Sequence, residues 1–561
     1  MNRQAWPLLK SGGRAFVVRG KFMIRISNLT IPLADDTALE TAVAKRLHID
    51  AGSVRRIRVV RETVDARRYR GAPISFVYVA DVETEEGDKK ILQRMKRDKQ
   101  LAKAPEEIPS VFARVRGIKG VPERPVIVGF GPAGMFAALL LAEAGCAPLV
   151  LERGADVDAR QRAIEDFWNG GRLDTTTNVQ FGEGGAGTFS DGKLTTRISD
   201  PVMADILKAF VEAGAPDEIL RLHKPHIGTD LLRGIVKNIR EKIRRLGGEV
   251  RFGCTVTDIE TAADGIKAVV VNGSERIETS AVLLGIGHSA RDTYHMLYGK
   301  GVSMEAKPFA AGVRIEHPQE MIDRSQYGED AGNPKLHAAD YALTFKDTET
   351  GRGAYSFCMC PGGQVVAAAS EEGRVVTNGM SLYARDSGIA NAALLVQVAA
   401  EDFKGDVLGG IALQREYEAL AFKLAGGDYR APVQTVGDFL SGKTGSSDYL
   451  ITPSYRPGTV PCNLKECLPP VIAKTLADAL PFFGRKITGF DDPGAPMTGV
   501  EMRSSAPCRI VRSRDTYESV SIKGLFPMGE GAGYAGGIMS AAVDGVNTAL
   551  AFLKKSGHTI V

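Results

Sequence analysis

Short, wholly apolar runs at 125–128 and 148–151 flank an apolar helical pattern over 135–144. Runs that apolar predict strands buried on both faces of a parallel sheet. A similar run at 281–284 ends in glycines, and another at 525–528 passes through a glycine turn into a second helical stretch reaching about residue 550. Between them, 251–279 alternates Val and Ile with polar residues, which predicts a hairpin-like antiparallel segment. From 302 to about 498 the strand–helix rhythm breaks. That stretch predicts strands over 341–346, 353–359 and 364–370, and later a helix over 470–480.

Ahead of residue 125 the pattern is different. It predicts a strand over 23–29, a helix over 37–47 with Leu39, Val43 and Leu47 on one face, strands over 55–64 and 74–83, and a helix over 88–102. The βαββα order suggests a ferredoxin-like sandwich. The domain organisation expected is a flexible extension at 1–22, with Met23 as the working start; a basic ferredoxin-like domain at 23–105; a linker at 106–124; a first dinucleotide-binding part at 125–300; an inserted domain at 301–498; and a second part at 499–561.

Chemistry enters with the turn between the first two apolar runs. Gly129, Gly131 and Gly134 form a Gly-x-Gly-x-x-Gly string between strand and helix, and the second strand ends at Glu152 and Arg153. Gly129 permits the tight turn, Gly131 lets backbone approach a pyrophosphate, and Gly134 lets helix and strand pack closely. The helix start at Pro132 and Ala133 offers free N–H groups and positive dipole to phosphate. Glu152 is placed for ribose hydroxyls. The fingerprint serves FAD and NAD alike. A second glycine cluster at 181–194 lacks an apolar strand before it and is read as a loop; Gly184, Gly185, Thr188, Ser190, Gly192 and Lys193 are its candidate ligand contacts, with backbone N–H groups forming an anion nest. Val256 and Gly287 join the set as cofactor contacts. So do Gly529, Glu530, Gly536, Gly537 and Ile538, where a helix start could aim its dipole at negative charge developing on a reduced flavin.

This order of parts resembles the superfamily of two-dinucleotide-binding flavoproteins that includes glutathione reductase and p-hydroxybenzoate hydroxylase. The strings at 181–194, 357–363 and 528–537 are similar to those of a bacterial and plastid family of FAD-dependent dehydrogenases whose reaction is not agreed. The resemblance implies an α/β fold, with an FAD/NAD(P)-binding Rossmann-type domain, an inserted α+β substrate or cap domain, and the ferredoxin-like domain in front. It implies FAD as cofactor. No second strand-linked glycine fingerprint is present, so NAD(P)H, if it is the reductant, binds transiently at the cap; otherwise electrons come from another protein or from the substrate.

Composition adds limits. In 561 residues with 44% hydrophobic content, no run approaches the ~18 apolar residues of a membrane span. Seven cysteines on so long a chain argue against a disulfide framework. With no secretory leader pattern, the expected compartment is the cytoplasm. Residues 1–124 hold 26 Lys and Arg against 15 Asp and Glu. Arg55, Arg56, Arg58, Arg61, Arg67, Arg68 and Arg70 concentrate that charge, which raises nucleic acid as a partner. A face that is solvated or docks on the acidic remainder of the chain is the favoured account of the run, since only Tyr69, Phe76 and Tyr78 offer nearby stacking rings.

The main expectation is an oxidoreductase moving a hydride between flavin N5 and a small or lipid-like organic substrate under the cap. The alternatives are a flavoenzyme acting on RNA through the basic domain, and an FAD-bearing electron-transfer or scaffold protein. Catalytic candidates are Lys193, Arg503, Cys358 and Cys360, with His288, Ser289, Arg291 and Tyr534 lining the same space. On an extended strand Cys358 and Cys360 would share a face about 6.5 Å apart, the upper edge of disulfide reach. Cys462 and Cys467 have the spacing of a redox pair but lie far from the fingerprint, and no histidine spacing supports a metal site.

Overall fold

The strand Ile24–Pro32 pairs on one side with Ser75–Thr84 and on the other with Leu101–Lys103, while Val54–Asp65 lies along the far edge of Ser75–Thr84; all these pairings are antiparallel. The structure, a computed structural model, describes residues 23–67, 71–118 and 124–557. The readings of 1–22 and of Arg68, Tyr69 and Arg70 lie outside the described residues. The chain divides between Pro109 and Ser110 into two units. In the smaller, Ile24, Ile26, Ala80 and Val82 pack against Val43, Leu47 and Ile91 of the helices Leu39–Leu47 and Asp88–Arg94.

The helix expected over 88–102 is corrected here. It ends at Arg94, because Lys96, Arg97, Asp98 and Lys99 offer nothing to bury. The Asp98 side chain instead accepts the Gln100 N–H at 2.9 Å and turns the chain into the edge strand Leu101–Lys103. The order is therefore βαββαβ. The pairing of Val54–Asp65 with Ser75–Thr84 carries two register shifts, one on each side of the segment from Arg56 to Val59. Arg25 and Arg58, on flanking strands, both reach the fully buried Asp81 carboxylate at 2.7 Å. Arg55 pairs with Glu85 and Arg67 with Asp65, so three of the five described arginines of the basic run are partnered within this unit.

The larger unit is built on a five-stranded parallel sheet in the order Leu525–Pro527, Val282–Leu284, Val126–Val128, Leu149–Leu151, Glu249–Arg251. All but one residue of the helix Pro132–Glu143 are buried, which explains its lack of a polar face. Even Glu143 is covered, and it pairs with Arg116 and Lys242. The linker expected over 106–124 is only partly one. Val111–Arg114 is helical, and Val111, Phe112 and Val115 are buried in the core with Phe136 and Phe210. The 251–279 segment resolves into the last parallel strand and a three-stranded antiparallel sheet.

The inserted region forms a seven-stranded sheet in the order Thr344–Lys346, Gly353–Cys360, Ile389–Val398, Phe309–Pro318, Pro496–Glu501, Ala431–Thr435, Thr459–Pro461. The helix Pro470–Gly484 buries Ile472, Leu476, Leu480 and Phe483 in the cluster that includes Val313, Leu394 and Val396 of this sheet. The boundary expected at 498 cuts through Pro496–Glu501, which belongs to this sheet. Met304–Ala306 and Cys508–Ile510 pair antiparallel, so the chain enters and leaves the insertion along one ribbon. Among the described residues no helix is long and apolar enough to cross a membrane.

Candidate functional site

After Val126–Val128 the chain proceeds outward on one side of the sheet, through Leu149–Leu151 to Glu249–Arg251; Val282–Leu284 and Leu525–Pro527 add to the other side. The strand order thus reverses at Val126–Val128, and the crevice beyond the carboxyl ends of strands at such a switch point is where doubly wound sheets bind ligands. Glycines line it here. A Cβ on Gly129 would lie 2.3 Å from the Gly285 carbonyl oxygen, and one on Gly134 would lie 2.0 Å from the Gly129 oxygen. Gly129 also holds a φ of +92°.

Two helix starts and a loop meet there. Gly131 is the N-cap of Pro132–Glu143 and Gly537 that of Ile538–Lys555. The helices cross where Gly545 and Gly529 face Ala133: a Cβ on Gly545 would be 2.1 Å from the Ala133 oxygen. Gly185 would meet the Gly131 Cα at 2.9 Å, and Gly187 would meet Ile538 at 2.8 Å, so the 181–194 loop seats against both helix starts. Gly531 would meet the Gly287 N–H at 2.7 Å. Gly131, Pro132, Gly185, Ala186 and Gly187 remain half-buried, and Gly536 and Gly537 are exposed, while the flanking strands and helices are buried. The geometry is a backbone-lined seam with N–H groups at both helix starts, suited to an extended anionic ligand.

Glu152 organises one wall. Its carboxylate accepts N–H groups from Phe130 at 2.7 Å, Gly154 at 3.0 Å and Gly182 at 2.9 Å. Of about four acceptor positions on a carboxylate, one remains, on the Phe130-bound oxygen. Arg153 turns aside, pairing with Asp292 and lying 4.5 Å over the Phe181 ring. Val256 buries its side chain in the core with Val126 and Leu149, leaving only its backbone for a ligand. Glu530 stands beside Gly536; burial raises its pKa to about 7, against the opposing pull of Lys307.

Arg160, which the sequence reading passed over, holds the loop. It is wholly buried and donates to the carbonyls of Asn178, Val179, Gly182, Glu183 and Gly185 at 2.7–3.3 Å. Arg240 pairs with buried Glu183 at 2.8 Å, tying the helix Thr229–Arg245 to the same loop. Both arginines sit on the apolar stripe of their helices, between Val157 and Ile164 and between Ile239 and Ile243. That misplacement was the readable signal.

An uncharacterized protein from Clostridium beijerinckii (strain ATCC 51743 / NCIMB 8052) is 50% identical to this chain over 534 residues, which cover 95% of this chain and 99% of that protein. The chain belongs to that protein's family. Residues 308–504 match the family described as FAD-dependent protein, C-terminal domain-like, and residues 23–83 match a domain of unknown function (DUF8436). Among solved structures, glycine oxidase from Bacillus cereus ATCC 14579 is similar at 9% identity and a TM-score of 0.33, covering 78% of this chain and 96% of that one. The halogenase PltM is similar at 10% identity and a TM-score of 0.37, covering 77% and 69%.

Several of the candidate side chains are engaged by partners within the protein. Arg503 is buried; its Nε and Nη2 bond the Glu418 carboxylate at 2.9 and 2.8 Å, and its remaining nitrogen bonds the Ser370 hydroxyl. Arg291 bonds the same carboxylate and Gln414, so both guanidiniums are committed to a structural network rather than to a substrate carboxylate. The guanidiniums of Arg509 and Arg512 lie 5.2 and 4.0 Å from the centre of the Tyr534 ring. His288 bonds the Ser289 hydroxyl at 3.0 Å; burial, with Arg503 and Arg291 nearby, lowers its pKa to about 3 and keeps the ring neutral. Ser190 donates to the Gly187 carbonyl, and Thr188 hydrogen-bonds within the loop. Gly192 packs on Gly228, and the Lys193 ammonium bonds the Met359 carbonyl, bringing the loop to Cys358 and Cys360. Cys462 and Cys467 are free thiols, the latter fully buried, and burial raises the pKa of both.

Proposed function

We propose that this protein is an FAD-dependent oxidoreductase that moves a hydride between flavin N5 and an organic substrate lying under the inserted sheet. The observation that carries the reading is the glycine seam at the switch point, where two helix starts and the 181–194 loop converge on backbone no Cβ could share. The FAD-dependent family match over 308–504 supports the choice of FAD. In domain terms the chain is an FAD-binding Rossmann-type domain interrupted by an α+β insertion, with a ferredoxin-like unit in front.

The residues present fit an FAD. Gly131 and Ala133 would hold the pyrophosphate by backbone N–H groups and helix dipole; Pro132, which has no N–H, opens that helix, and Gly185, whose N–H is given to the Gly182 carbonyl, would line the seam with its backbone. The free acceptor position on Glu152 would take a ribose hydroxyl, and the helix start at Gly537 and Ile538 would face the charge that grows on reduction. FAD when bound supplies the hydride chemistry. The chain's own part is to orient and to exclude water. Lys193 puts a positive charge on the loop beside the insertion, and Glu530, with a pKa raised to about 7, can hold or release a proton near neutrality. On the face of the insertion opposite its main core, Tyr355 joins Ala310, Ala393 and Leu395, and the exposed Phe357 ring lies 6.4 Å from Tyr355, an apolar surface suited to a small or lipid-like substrate.

The test is the visible spectrum of the purified chain, recorded anaerobically before and after NADPH and then NADH. Flavin bands bleached by either nucleotide make it a nucleotide-dependent reductase with NAD(P)H bound transiently. Bands that stay oxidised direct the search to a substrate-reduced dehydrogenase or a protein donor. A chain colourless after reconstitution with FAD refutes the reading.

A further inference from the structure

The strand Gly353–Cys360 breaks register with Ile389–Val398 between Phe357 and Cys360. Within the break Cys358 takes a φ of +41°, a conformation few side chains adopt. The expectation of a flat strand is overturned: the bulge turns the Cys360 thiol back onto the carbonyl of Cys358, which it reaches at 3.3 Å. Both thiols are free. Cys358 is half-buried and Cys360 fully buried.

Charges of both signs stand around them, with Asp191 opposing the pull of Arg314 and Lys193 on the Cys358 thiol. The buried Arg314 guanidinium bonds the Cys358 carbonyl at 3.1 Å and lies 4.0 Å from the Cys360 sulfur, while the Glu501 carboxylate fixes it from behind at 2.6 and 3.0 Å. Lys193 bonds the intervening Met359 carbonyl. We propose that Cys358 and Cys360 are a dithiol–disulfide couple, with Cys358 as the attacking thiol and Cys360 as the resolving thiol, exchanging with a small-molecule disulfide. The asymmetry of exposure and the guanidinium and ammonium beside the pair are what such a couple requires. The state of charge agrees in direction: Cys360, with Arg314 and Lys193, lowers the Cys358 pKa below that of an ordinary thiol, whereas the other six thiols are raised.

The exchange balances without a further reactant. The Cys358 thiolate attacks one sulfur of a disulfide RSSR, the S–S bond breaks, and RS⁻ leaves. The Cys360 sulfur then attacks the Cys358 sulfur of the mixed disulfide; the second RS departs with the proton Cys360 gives up. The couple loses two electrons and RSSR gains them.

The experiment equilibrates the full chain in glutathione buffers from reducing to oxidising, quenches in acid, alkylates and maps tryptic peptides. Cleavage after Arg352 and Arg374 puts Cys358 and Cys360 alone in one peptide. The expected result is that peptide lighter by two hydrogens, without alkyl groups, as the buffer becomes oxidising. Cys360→Ser should instead retain glutathione on Cys358, and Cys358→Ser should leave Cys360 reduced. Alkylation of wild-type Cys358 by iodoacetamide should rise less steeply with pH from 6 to 8 than that of an ordinary thiol, which speeds up about tenfold per unit. A wild-type peptide that stays reduced, or that keeps a stable glutathione adduct, overturns the proposal. Neither readout involves the flavin, so the result stands apart from the function proposed above.

Discussion

Gly134 packs so closely on Gly129 that a Cβ on the first would stand 2.0 Å from the carbonyl oxygen of the second. Gly134→Ala must therefore push the helix Pro132–Glu143 away from the turn. Overpacking of this kind costs about 1–3 kcal/mol, and the displaced helix start should retain little flavin. Gly234 is the control: it lies in the helix Thr229–Arg245 with nothing near its would-be Cβ. Gly234→Ala should stabilise by about 0.5–1 kcal/mol and leave flavin content unchanged. Thermal unfolding and flavin stoichiometry of both variants check this.

Glu418 is fully buried between two guanidiniums, 2.7 Å from Arg291 and 2.8 Å from Arg503. Glu418→Ala would leave two buried cations sharing the half-buried Glu371 carboxylate, at a cost of about 3–5 kcal/mol. Arg503→Ala removes one cation and leaves Glu418 with Arg291, so it should cost less. If Arg503 instead served substrate binding, its variant would lose turnover while keeping stability; urea unfolding of the two variants separates the cases.

Arg160 joins five backbone carbonyls of the 178–185 loop through one guanidinium. Arg160→Lys keeps the charge but lacks the planar fork, so most of those acceptors lose their partner. The loop should open without global unfolding. Hydrogen exchange confined to 178–185 should accelerate, with weaker flavin retention; uniform exchange across the chain would show that Arg160 supports the whole fold instead.

The parallel sheet was readable because its strands are buried on both faces and spell themselves as unbroken apolar runs, as in Val282–Leu284. The glycines of the seam were readable for a related reason: Gly129 and Gly134 stand where backbone touches backbone, and no other residue fits. The edge strand Leu101–Lys103 was missed because one buried residue, Leu101, carries it. The ion pair of Arg503 was not legible because a lone arginine does not announce its partner; Glu418 comes from a helix 85 residues earlier in the chain. The apolar stripe of that helix did hold the clue, since Gln414 and Glu418 sit on it with Ile411 and Ala421. The bulge at Cys358 has no marker in the sequence, for it arises from pairing with Ile389–Val398.

Glu316 should make stability depend on pH in the direction opposite to most carboxylates. It is fully buried on Phe309–Pro318 and accepts the N–H and hydroxyl of Ser454, but burial outweighs these bonds and raises its pKa to about 7 from an ordinary 4.5. The folded protein thus binds a proton there that the unfolded chain has lost between about pH 4.5 and 7. The stabilisation is complete below pH 4.5 and drains away as pH rises through 7, by an amount on the order of 3 kcal/mol for a shift of this size. Glu316→Gln stays neutral throughout. The stability difference between wild type and Glu316→Gln, measured by urea unfolding at pH 5, 6, 7 and 8, should move against wild type as pH rises. A difference that stays constant, or moves the other way, would mean the carboxylate is already ionised in the folded protein at pH 5.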